Sequence, residues 1–139
     1  MKQLRIIIVL VCAFGFHNSM WAQQKKSAID LCDNYMNDGF ISDGQYYSHS
    51  IQKDEIKQTK ITLMGGNTYR IAACAEQSKQ LQFSIIDVQG NILFTNTQFN
   101  YAPYWDFEIK HTIECTITLQ NNDKTLPKDK TILIIGYKR

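Results

Sequence analysis

From Gln45 onward, apolar and polar residues alternate with a period of two, the spacing that puts successive side chains on opposite faces of a β-strand. In "KITL", Ile61 and Leu63 alternate with Thr62, and in "TYRIAA" the residues Tyr69, Ile71 and Ala73 share a face. In "HTIECTITL", Ile113, Cys115, Ile117 and Leu119 alternate with Thr112, Glu114, Thr116 and Thr118. The pattern predicts strands near 46–52, 56–64, 68–75, 81–88, 91–96, 104–110, 112–119 and 131–138. Half-buried strands of this kind belong to antiparallel sheets with one wet face. "TILIIGYK" is apolar on both faces and is expected at the centre of a sheet.

Ahead of the strands, "SAIDLCDNYMNDG" has a different period. Ile29, Cys32, Tyr35 and Met36 recur at spacings of three and four, Ser27 and Asp30 are placed for a capping box, and Gly39 follows, which predicts a short helix over 27–38. Turn chemistry punctuates the rest. Asp43-Gly44 is expected to be a turn, and Gly65-Gly66-Asn67 and Gly90-Asn91 each to close a hairpin. Together the elements predict an all-β fold, an antiparallel β-sandwich or jelly roll of about eight strands, with the N-terminal helix closing one open end.

The N-terminus changes the picture of where the chain works. In "MKQLRIIIVLVCAFGFHNSMWA", Lys2 and Arg5 precede an apolar run from Ile6 to Phe16 and a polar exit ending in Ala22, the layout of a secretory signal peptide. Eleven helical residues rise only about 17 Å against a hydrocarbon core of about 30 Å, which makes the run a poor anchor. Cleavage is expected after Ala22, giving a signal peptide at 1–22, a single domain at 23–139 and no membrane span in the mature chain. Acylation at Cys12 is a weaker alternative, because Val11 is not small and the apolar run would be cut in half. The expected location is periplasmic or extracellular.

Loss of Lys2 and Arg5 leaves thirteen basic and thirteen acidic residues. A neutral chain has no field to gather nucleic acid, so that partner is excluded. Three cysteines remain, Cys32, Cys74 and Cys115, enough for one bridge and a leftover thiol. If a bridge forms it is expected to include Cys115, with Cys32 as its partner from the helix.

"GGNTYRIAAC" followed by "IIDVQGNILF" resembles the glycine, tyrosine and Asp-x-x-Gly pattern of bacterial pre-peptidase C-terminal (PPC) domains, over roughly residues 46–138. With "DGFISDGQYY", "NYAPYWDFEI" and "ILIIGYK", the mature chain also resembles a group of small uncharacterised exported bacterial proteins. The first resemblance implies a small jelly-roll-like sandwich with an accessory role beside a secreted enzyme, often in substrate or matrix contact. No peptidase domain precedes the module here, so that role is not expected in cis.

Catalytic, metal and cofactor signatures are missing from the sequence. His111 and Cys115 share a strand face but stand about 13 Å apart, beyond hydrogen-bond reach. Asp33, Asp38 and Asp43 fail the EF-hand pattern, since Met36 and Gln45 occupy ligand positions. No catalytic residue, metal site or cofactor is therefore expected. The remaining candidate is aromatic. In "FNYAPYWDF", Trp105, Phe107 and Ile109 share a core-facing stripe, while Tyr101 and Tyr104 flank the stiffening Pro103. Tyr101, Tyr104 and Trp105 are the candidate ligand-binding residues, suited to a glycan or a peptide. The expected function is an exported non-catalytic binding module, with a structural or protein-interaction subunit as the alternative and an enzyme as the remotest reading.

Overall fold

The computed structural model describes residues 26–139; the signal peptide, its cleavage site and Cys12 lie outside the described residues. Eight strands form the body: β1 (Ile41–Gln52), β2 (Ile56–Leu63), β3 (Asn67–Ala75), β4 (Leu81–Asp87), β5 (Ile92–Thr95), β6 (Tyr104–Ile109), β7 (Ile113–Asn121) and β8 (Lys128–Lys138). They make two four-stranded antiparallel sheets, sheet A in the order β1-β8-β3-β6 and sheet B in the order β2-β7-β4-β5. The pairings β1 with β8, β2 with β7, β3 with β6 and β4 with β5 are those of a chain doubled back at its middle and then wrapped, which is a jelly roll. "TILIIGYK" does run through the centre of sheet A, within β8.

The core follows from the alternation. Ile71 and Leu133 from sheet A meet Leu63, Phe83, Ile85, Ile117 and Leu119 from sheet B between the sheets. A second apolar layer lies outside sheet A, where Ala28 and Cys32 cover Ala72, Cys74, Ile132 and Ile134. Its cover is α1 (Ala28–Asp33), shorter than the predicted 27–38. The Ser27–Asp30 capping box forms as expected. The helix stops early because the side-chain amides of Asn34 and Asn37 donate to the carbonyls of Asp30 and Asn34, competing with the helical ladder. The segment lies flat on sheet A instead of closing an open end. Ile29 faces solvent, and Leu31, Tyr35 and Met36 pack inward.

Three further expectations are corrected. Gly65-Gly66 does not close a hairpin, since β2 and β3 belong to different sheets. Gly66 does hold a positive φ of 83°, and a Cβ on Gly65 would lie 2.8 Å from the Lys110 carbonyl, so the pair lets one sheet-crossing corner pass close to another. Asp43-Gly44 lies within β1, at an irregularity where pairing jumps from Ser42 with Gly136 to Tyr46 with Ile134. The disulfide joins Cys32 to Cys74, not to Cys115. Cys74 projects from β3 toward the helix, whereas Cys115 points between the sheets, buried and free. By contrast, the β4–β5 hairpin closes where the sequence placed it, with Asp87 accepting from the backbone of Gln89 and Asn91.

Candidate functional site

The edge strands β5 and β6 lie opposite one another across the sandwich, joined by aromatic contacts. Phe94 of β5 meets Trp105 at 5.4 Å and Phe107 at 5.0 Å between ring centroids. Phe99, from the 3-10 turn at Asn96–Phe99, stacks on Phe94 at 5.7 Å and approaches Trp105 at 4.2 Å. Phe99 is 43% exposed, and on β5 Ile92 is 66% and Leu93 53% exposed.

The three aromatic candidates do not share one surface. Trp105 points inward, half-buried in the string just described. Tyr104, one residue away, projects to the opposite face, 5.0 Å from the ring of Tyr35 and 4.6 Å from the Arg70 guanidinium. A shallow ledge of about 450 Å³ runs past both, lined by Ala102, Pro103, Tyr104, Trp105 and Asp106. Tyr101 stands apart, its hydroxyl accepting from the Asn122 amide at 3.3 Å. With Leu31, Tyr35, Lys79 and Pro103 it borders a separate groove of about 250 Å³ over Cys74.

Two residues that the sequence did not single out hold this region in place. Asn96, 1% exposed, accepts from the Phe83 amide and donates to the carbonyls of Leu81 and Ala102, pinning the loop before β6 to β4. The pinned loop carries Asn100 and Tyr101 at φ 51° and 55°, a left-handed pair of non-glycine residues. Arg70 lies under Tyr104, gripping Asp106 through Nε at 2.7 Å and Nη2 at 2.8 Å, with Phe40 4.1 Å from its charge. The Asp106 carboxylate holds the guanidinium well above its usual range, against the pull of burial. A signal for Arg70 was present in the sequence: it is the lone charge in "TYRIAAC", between Tyr69 and Ile71.

The remaining titratable groups are dispersed. His49 is half-buried beside Glu55 and Lys57, its imidazolium disfavoured by burial and by Lys57, while His111 is exposed at the β6–β7 corner. Burial pushes the Cys115 thiol up, away from the reactive thiolate. Among the described residues no group of three His, Cys, Asp or Glu side chains is placed to hold a metal ion.

The wrapped topology and the covered sheet can be set against solved structures. The sandwich is similar to PliG. That protein, from Aeromonas hydrophila, is a periplasmic lysozyme inhibitor of g-type lysozyme; it matches with a TM-score of 0.54 and 10% identity, over 68% of this chain and 85% of PliG. At that identity the likeness is one of fold. No family model matches the chain and no curated protein matches it in sequence, so the PPC resemblance has no family match behind it. No helix among the described residues is long and apolar enough to cross a membrane.

Proposed function

We propose that the chain is an exported, non-catalytic module that binds a protein partner on the β5–β6 side of the sandwich. The observation carrying this reading is Phe99, an exposed ring packed on Phe94 and Trp105 where the two edge strands face each other, with Ile92 and Leu93 also exposed on β5. Exposed apolar side chains concentrated on one pair of edge strands favour an interaction site, and aromatic anchors of this type dominate interface energetics. The inhibitor PliG, which shares the fold, acts on a protein. Export is supported by the leader at 1–22, and the ledge along Tyr104 and Trp105 extends the same side of the molecule.

A photo-crosslinking amino acid placed at Leu93 or at Phe99, in cells that export the protein, tests the reading. The expected result is a discrete protein adduct from both positions and none from Gln58, on the outer face of sheet B. Equal labelling from all three, or none, would reject it. A glycan is the second reading, favoured by the Tyr35–Tyr101 groove with Lys79 at its border. Glycan-array binding that is lost in Tyr101→Ala would support that reading instead.

A further inference from the structure

We propose that the partner supplies an extended segment that adds to sheet A as a fifth strand along the free edge of β6, its side chains alternating apolar and basic. The proposal rests on the protein-binding reading and specifies the occupant.

A jelly roll of this kind has four edges, and each exposes unpaired backbone that natural proteins blunt with lysines, bulges or brevity. Here β1 carries the irregularity between Ser42 and Tyr46, β2 carries Lys57 and Lys60, and β5 is four residues long with a register shift beside Ile86. The fourth edge, β6, pairs with β3 in unbroken register from Tyr104 to Ile109 and contains neither lysine nor proline. Its backbone polarity is fixed by its neighbour. The carbonyls of Pro103 and Ile109 accept from Ala73 and Gly66. The two-residue period of the ladder then turns Trp105 and Phe107 toward β3 as well, leaving the N–H and C=O groups of Tyr104, Asp106 and Glu108 facing outward.

An added strand would continue both faces of β6. On the inner side its residues would lie beside Trp105, Phe107 and Ile109, all half-buried, and would extend the aromatic string to Phe94 and Phe99. On the outer side they would flank Tyr104, Asp106 and Glu108. Asp106 is already gripped by Arg70, but Glu108 is exposed and makes no ion pair among the described residues. Apolar residues therefore suit one side of the incoming strand and a basic residue the other, the combination that strand addition reads through backbone and alternate side chains. A second copy fits poorly. Antiparallel β6–β6 pairing centred on Phe107 sets Asp106 against Glu108, and centring on Asp106 sets that carboxylate against itself.

The test uses the exported protein and a synthetic peptide slightly longer than β6, alternating lysine with phenylalanine and valine. Amide hydrogen exchange should slow at Tyr104, Asp106 and Glu108. Affinity should fall about tenfold further in Glu108→Pro than in Glu108→Gln, since both lose the carboxylate and only proline also removes one outward donor, at an edge position where proline is tolerated. Glu108→Lys keeps every backbone group and should reverse the preference toward a peptide with glutamate in place of lysine. The proposal is overturned by protection confined to other strands, by a folded Glu108→Pro that binds as well as Glu108→Gln, or by self-association that the proline variant abolishes. Protein adducts from Leu93 and Phe99 without β6 protection would remove the added strand and leave the protein-binding reading intact. Absence of adducts removes both.

Discussion

Asn96 is a small residue with three backbone duties, and losing it would leave the Phe83 amide and two carbonyls without their partner in a dry site. Asn96→Ala should cost roughly 3 kcal/mol by urea melt. Nearby, the two neighbours on β6 should separate cleanly. Trp105→Ala empties part of the aromatic string and should cost about 3 kcal/mol, whereas Tyr104→Ala removes one exposed ring from Arg70 and Tyr35 and should cost about 1 kcal/mol. His49 contributes a pH dependence close to neutrality. Burial, then Lys57, lowers its folded value below the unfolded one, with Glu55 opposing, so the unfolded chain binds the proton more readily. This contribution to stability is therefore complete above about pH 6.5 and is lost as pH falls toward the folded value. A thermal melt series from pH 7 to 5 should decline in the wild type and flatten in His49→Gln.

At the scale of elements, a six-residue helix has too few hydrogen bonds to hold itself together, and α1 depends on what anchors it. The anchor is Cys32–Cys74, closing a span of 42 residues, which chain entropy values at about 4 kcal/mol. Cys74→Ala should lower stability by that order and release α1 first, visible as rapid amide exchange at Leu31 and Cys32. Thiol titration of exported wild-type protein should find no reactive thiol when native and one, Cys115, in denaturant. Alternation made the strands legible: each predicted strand has a counterpart, and "TILIIGYK" was placed centrally because both of its faces are apolar. Alternation gives the side a residue faces, not the element across from it. Alternation correctly turns Cys115 inward, but it does not show that the helix carrying Cys32 lies over the outer surface of the other sheet, against Cys74. A tight turn and a sheet-crossing corner need the same glycine, so Gly65-Gly66 reads as a hairpin in the sequence and forms a corner in the fold. Similarly, "YAPYW" marked the right stretch, but the grip of Arg70 on Asp106 and the openness of the β6 edge depend on pairings between distant segments.

For the whole molecule, the doubled-back wrap makes nearly every pairing non-local apart from the β4–β5 hairpin. Loop closure must precede the contacts that reward it, so refolding should fall in the millisecond-to-second range of sandwich proteins when followed by tryptophan fluorescence with the disulfide intact. The same wrap has a consequence for the order in which the protein is made. The chain grows from its N-terminus, so β8 emerges after the other seven strands, yet it belongs between β1 and β3. Until it arrives those two strands have no common neighbour, and the floor beneath α1 lacks Ile132 and Ile134. A chain stopped at Pro127 should therefore remain unfolded and protease-sensitive instead of forming a smaller domain. A nascent chain of this design stays narrow enough to thread a channel until β8 is free to take its place between β1 and β3.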